Sequence, residues 1–342
     1  MIIRDATEND NLKMLDIQKN AAQAGEFEIT LRKNDYRSKS NFFSDGFYLI
    51  AENEKTSDII GFLGVAIDYF KVKDKIYKGA YFYDLRTNPK YRGKVARWLK
   101  SLIEEVASRL SKMEIDFYFA SVKKDNQPSI KLLNHFNLMP IYSYKSFSIP
   151  VFNKKIAKET TIEKNFDIRE LGDFYSERNN KIDFLPIGLK DNFLKIVKNE
   201  NRLIKFSYKS AQIIGWDTKG IADIGITNLS KRYRILQKTL YFSSKLIPFI
   251  NAPLLNKNMK SFHIIKFEYK EENDFRLLLK SLTGYCYKNN FHLISIFIPE
   301  NQPFNEKILG TLKFRIDFSI VAKSNTKIDF SNLKNLIWLP RL

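Results

Sequence analysis

The sequence predicts a mixed α/β protein of two tandem units, each a mixed central sheet flanked by helices. Three observations point there. The chain has 342 residues, long for one compact domain. Its first half alternates strand-like and helix-like patterns. Short segments of that half return, in order, in the second: Ile3-Arg4 as Ile168-Arg169, Leu99-Lys100-Ser101-Leu102 as Leu279-Lys280-Ser281-Leu282, and Asn126-Gln127-Pro128 as Asn301-Gln302-Pro303. The first unit is placed at 1–149, a linker without apolar period at 150–164, and the second unit at 165–342.

The first half justifies its elements one by one. A strand at Met1 to Arg4 precedes the polar turn Ala6 to Asp10, and a helix pattern starts at Leu12, with Thr7 or Asp10 as its cap. Gly46 to Glu52 and Ile59 to Tyr69 form a hairpin around the polar turn Asn53 to Asp58. The aromatic strand Tyr81 to Thr87 leads through a basic turn, Asn88 to Lys94, into a helix. That helix has Val95, Trp98, Leu99, Leu102, Ile103, Val106 and Leu110 at helical spacing. A strand (Ile115 to Val122), a helix (Pro128 to Phe136) and a last strand (Leu138 to Ile149) complete the unit.

Composition bounds the function. Hydrophobic residues at 44% and charged residues at 28% are ordinary for globular protein, and 28 Phe with 17 Tyr supply core material. The single cysteine, Cys286, cannot form an internal disulfide, and no signal-like stretch opens the chain, so a cytoplasmic protein is expected. Leu240 to Leu255 is apolar but too short to span a bilayer, and is expected under an interface. The net charge of +19 would attract a polyanion: nucleic acid, anionic lipid or a phosphorylated cofactor. The three histidines and the cysteine show no metal-ligand spacing.

The motif Ile3-Arg4-x-Ala6-Thr7-x-x-Asp10 resembles the first strand and turn of many GNAT-superfamily N-acetyltransferases. A fuller match is Tyr83-Asp84-Leu85-Arg86-Thr87-Asn88-Pro89-Lys90-Tyr91-Arg92-Gly93-Lys94, which resembles that family's fourth strand and following loop. Such a loop binds pyrophosphate because N–H groups at a helix start point outward with the helix dipole behind them. Here Arg92-Gly93-Lys94 runs directly into Val95-Ala96, without the second glycine usual in the family. The third match, Asn126-x-x-Ser129, falls on the helix that flanks the pantetheine arm in the family, and Leu133 stands where a tyrosine is common.

The resemblance implies acetyl-CoA as acyl donor, held by Leu85, Arg86, Thr87, Arg92, Gly93, Lys94, Val95, Ala96, Asn126 and Ser129, with an amine-bearing acceptor and no metal. Asp84 interrupts an apolar strand beside the loop and is the candidate base; pairing with Arg86 on the same face is its structural alternative. Tyr142 and Tyr144 are candidates for the acid that protonates the thiolate, with aromatic packing as the alternative. In the second half Lys270-Glu271-Glu272-Asn273-Asp274 replaces the basic turn, so this unit is expected to have lost the cofactor. Two other functions fit the same features: an aminoacyl-tRNA-dependent peptidyl transferase of doubled fold, with tRNA answering the +19 charge, and a non-catalytic binding protein.

Overall fold

The computed structural model describes residues 1–21, 27–32, 35–36, 39–40, 43–164, 185–186, 202–219, 223–229, 231–246, 249, 258–331 and 333. Strand β1 (Ile2–Asp5) leads through a 3-10 turn into helix α1 (Asn11–Asn20). Asp10 fixes that turn, accepting from the N–H and hydroxyl of Thr7 at 2.8 and 2.9 Å. Arg4 donates to both oxygens of Asp10 and holds its carboxyl well below the usual range. This lock is the physical content of the Arg4-to-Asp10 motif.

Next come β2 (Phe27–Arg32), β3 (Asp45–Glu52), β4 (Ile59–Val72) and β5 (Lys75–Thr87). The sequence pattern did not predict β2. Strands β4 and β5 run longer than expected because Lys73, at φ 55°, turns a tight hairpin whose arms stay paired down to Val72 and Lys75, with Phe70 and Val72 buried. Helix α2 (Val95–Ser111), β6 (Phe117–Lys123), α3 (Gln127–His135) and β7 (Met139–Pro150) complete the first half.

The second half contributes β8 (Thr161–Glu163), β9 (Leu185–Pro186), β10 (Leu203–Tyr208), β11 (Ala211–Asp217), β12 (Asp223–Leu229) and helix α4 (Lys231–Leu246). There follow β13 (Asn258–Met259), β14 (Ser261–Glu268), α5 (Glu272–Lys288), β15 (Leu293–Pro299) and β16 (Phe314–Ser324). Thr161–Glu163, inside the expected linker, pairs with β10 at the sheet edge. Leu240 to Leu246 is helical, but Phe242 and Leu246 are exposed rather than covered. The Ile168-Arg169 repeat lies outside the described residues.

Twelve described strands follow one path, β1-β3-β4-β5-β6-β16-β7-β15-β14-β11-β10-β8, with β9 added against β4. The path reads alike from both ends of its centre. Strands β5 and β6 are parallel, as are β14 and β15. Between them the last strand of each half has crossed over: β16 lies between β6 and β7, and β7 between β16 and β15. The Leu-Lys-Ser-Leu repeats fall on α2 and α5, which join the two parallel pairs.

One apolar cluster spans a single sheet face across both halves, from Tyr48, Tyr81 and Tyr83 to Tyr144, Ile214 and Trp216. On the opposite face α2 and α5 each cover their own half, burying Trp98, Leu102 and Val106 in one and Phe275, Leu278 and Leu282 in the other. Each helix supplies the amphipathic stripe that its half of the sheet must cover.

Candidate functional site

Strands β5 and β6 pair from Gly79↔Phe117 to Phe82↔Ala120 and then part company. Strand β5 continues to Thr87 and β6 to Lys123, so their carboxyl ends splay and leave the facing backbone edges without ladder partners among the described residues. The starts of two helices flank this opening, α2 beyond β5 and α3 beyond β6. A crevice at the carboxyl ends of parallel strands is where α/β sheets bind ligands.

A bulge shapes the β5 side. Tyr83 faces Gly64 and Arg86 faces Phe62, so Asp84 and Leu85 together oppose Leu63. Asp84 takes the extra residue with φ at 52°. Strict alternation would turn Asp84 away from Tyr83, whereas a bulge re-aims side chains. Its carboxylate accordingly lies with Tyr48, whose hydroxyl donates to Oδ2 at 3.4 Å, while Leu85 packs toward α2. Arg86 stands 4.0 Å from Asp84 Oδ1 and donates to the Leu85 carbonyl. The expected Asp84–Arg86 pairing is therefore present, and the buried Nε–H of Arg86 has no partner among the described residues.

Tyr36, Tyr48 and Tyr83 crowd the same spot. Burial, with the Asp84 charge added to it, pushes all three phenols well above their ordinary pKa, so each keeps its proton. Buried Lys39 sits over the rings of Tyr81 and Tyr83 at 5.3 and 4.9 Å. Sequence reasoning missed Tyr36, Lys39 and Tyr48. Tyr48 had a signal in the hairpin register, which sets it opposite Gly64, itself opposite Tyr83.

The basic loop folds as a 3-10 turn over Pro89–Lys94 and passes directly into α2. It is pinned to the preceding hairpin: Lys90 Nζ and Tyr91 Oη donate to Asp58 Oδ2 at 2.7 and 2.8 Å. These bonds draw the half-buried Asp58 carboxyl down to about 2. Arg92 is exposed, Gly93 and Lys94 end the 3-10 turn, and Val95 and Ala96 open α2, whose dipole is positive at this end. The first turn of α2 carries no acidic residue. Trp98 seats the helix on Gly61, where an added Cβ would collide with the indole and meet the Arg86 carbonyl oxygen at 2.7 Å. The missing second glycine thus still leaves a basic turn opening onto a long helix.

Across the opening, Asn126 caps α3 by accepting from the Ser129 N–H at 3.4 Å, a structural duty that also sets this wall. Leu133 packs with Phe136 against Ala120, Val122 and Val321. Tyr144 hangs from β7, stacks on Phe318 and brings its hydroxyl to Ser121 Oγ at 2.8 Å, just past the last β5–β6 pair. Tyr142 instead donates to Asn301 Oδ1 at 2.6 Å, on the side of the second half. Asp84 and the Tyr144 hydroxyl thus border one splay, and Tyr142 is engaged elsewhere. Among the described residues no three His, Cys, Asp or Glu side chains gather as a metal site, and no helix is long and apolar enough to cross a membrane.

Residues 14–137 match the family model of the GNAT acetyltransferases. The whole chain is similar in fold to Saccharomyces cerevisiae N-myristoyltransferase with bound myristoyl-CoA, at 8% identity and TM-score 0.60 over 94% of this chain and 82% of that one. A second structure of that enzyme, with myristoyl-CoA and inhibitors, gives TM-score 0.59 at 8% identity, over 94% of this chain and 80% of that one. A probable N-acyltransferase from Enterococcus faecalis aligns over 94% of this chain and 72% of that one, at 11% identity and TM-score 0.48. Among curated proteins none matches. The segment that carries the basic loop, the bulge and the splay thus matches the GNAT family, in a chain whose fold is similar to that of N-myristoyltransferase.

Proposed function

We propose that the chain is a cytoplasmic N-acyltransferase that moves a short acyl group, acetyl foremost, from a CoA thioester to an amine entering near the junction of its halves. The splay of β5 from β6, ending at a basic helix start, is the observation that carries this reading. The residues fit a CoA thioester. Arg92 and the positive end of the α2 dipole suit its pyrophosphate, and the unladdered edges of β5 and β6 suit the pantetheine amides. Supporting a short acyl group, the floor beside the splay is filled by rings: Tyr81 stacks on Tyr83 at 5.4 Å and on Phe119 at 4.9 Å.

In this reading a β5 N–H polarises the thioester carbonyl while the amine is held against it, so positioning does most of the work. The amine nitrogen forms the new C–N bond and the C–S bond breaks. Asp84, through the Tyr48 hydroxyl or a water, receives the amine proton, and the Tyr144 hydroxyl supplies a proton to the thiolate.

Calorimetry with acetyl-CoA tests the proposal. Saturable binding at one site is expected, about tenfold weaker in Arg92→Ala because one charge-assisted contact is lost. Myristoyl-CoA should bind no more tightly than acetyl-CoA. Absence of acetyl-CoA binding by folded protein would refute the acyl-donor assignment, and tighter binding of the long chain would refute the short-chain one.

A further inference from the structure

Helix α4 plays no part in the acyl-transfer reading. Its sequence, KRYRILQKTLYFSSKL, contains Lys231, Arg232, Arg234, Lys238 and Lys245 and no acidic residue. Ile235, Phe242 and Leu246 are 59, 61 and 84% exposed. Steps of seven and four residues stack these three side chains on one face of a helix. At 1.5 Å per residue the stripe runs about 17 Å. Lys231, Arg234, Lys238 and Lys245 are exposed beside it. The inner side is half-buried through Leu240 and Tyr241, the latter with the Lys245 ammonium 4.8 Å above its ring.

Large apolar side chains are common on protein surfaces singly, but a row of them edged with cations needs an occupant that answers both. A second copy of this helix would bring cations against cations. A nucleic acid would answer the lysines and leave Phe242 and Leu246 in water. An anionic bilayer surface answers both, with apolar side chains in the acyl boundary and ammonium groups at phosphate level. The net charge of +19 draws the whole chain toward such a surface. We infer that α4 seats this protein on anionic lipid by shallow insertion of Ile235, Phe242 and Leu246.

Vesicle flotation of the full chain tests this, in about 0.1 M salt so that exposed charges are partly screened. The wild type should float with phosphatidylglycerol–phosphatidylcholine vesicles and stay behind with pure phosphatidylcholine. Phe242→Asp with Leu246→Asp should weaken partition about tenfold or more, since each side chain loses its transfer into lipid. Lys238→Glu with Lys245→Glu should weaken it several-fold. Thermal unfolding checks that each variant is folded. In a second measurement, Leu246→Trp should shift its emission to the blue when anionic vesicles are added. No flotation of the wild type, undiminished flotation of the Asp variant, or an unshifted Leu246→Trp spectrum would each overturn the proposal.

Discussion

Where the first parallel pair ends, β5 bulges at Asp84 and Leu85 opposite Leu63, next to Gly64; where the second ends, β14 bulges at Ile265, next to Gly215. The last paired residues are Phe82↔Ala120 in one case and Ile264↔Ile296 in the other. Backbone geometry has been kept twice and chemistry once. At its bulge the second pair has Ile265, packed against the shared apolar cluster, where the first has Asp84, and Lys266 beyond it is tied to Glu268 at 3.6 Å. The helix beyond it, α5, begins with Glu272 and Asp274 in its first turn, and Asp274 accepts from the Ser210 hydroxyl at 2.7 Å. A helix start that supplies its own anions repels a pyrophosphate, whereas α2 begins with cations and no acid. His263, beside the second bulge, is half-buried against Trp216 and Phe297, and desolvation lowers its pKa to about 4, leaving it neutral. Strand polarity also turns the two splays to opposite ends of the sheet, so they cannot share one ligand.

The largest expected effect lies at the bulge residue. Asp84→Asn should lower turnover about a hundredfold or more, the usual scale for a general base, while acetyl-CoA affinity changes little. Lys266→Gln, next to the second bulge, should leave both unchanged. Single-turnover kinetics beside calorimetry reads the difference; unchanged turnover in Asp84→Asn would remove the carboxylate from the mechanism and break the comparison at its strongest point.

Asp84 also shows how far the sequence was legible. The basic turn and the period of α2 are local, so they could be read directly, and so could the repeat between α2 and α5. The facing of Asp84 required the bulge, which period-two alternation cannot reveal. Tyr144 was legible as a candidate, but its hydroxyl reaches Ser121 because β16 brings β6 and β7 into one sheet. That exchange pairs Val321 with both Ala120 and Pro140, contacts far apart in sequence and marked by no local pattern. The division of the chain into consecutive units says nothing of such a crossover.

Two glycines sharpen the comparison at smaller cost. A Cβ at Gly61 would strike Trp98, and one at Gly215 would strike Phe262. Gly61→Ala and Gly215→Ala should each destabilise the fold by about 1–3 kcal/mol, the range for overpacking, measured by denaturant unfolding. They should differ in binding. The first shifts the start of α2 and should weaken acetyl-CoA per folded molecule, while the second should not. Equal losses of affinity would mean that the splays act as one unit.

The smallest effect addresses whether charge alone separates the two helix starts. In α5, Glu272→Gln keeps an acceptor for Asn305, which now donates to Glu272 at 2.9 Å, but removes one favourable charge from the helix dipole. A loss of about 0.3–1 kcal/mol is expected by thermal unfolding. Acetyl-CoA should still titrate to one site per chain, because the neutralised turn Lys270 to Asn273 offers no glycine for close approach and no counterpart of Arg92. A second site appearing in Glu272→Gln would show that the carboxylate had been masking a competent loop, and that the second half lost its ligand through charge rather than through shape.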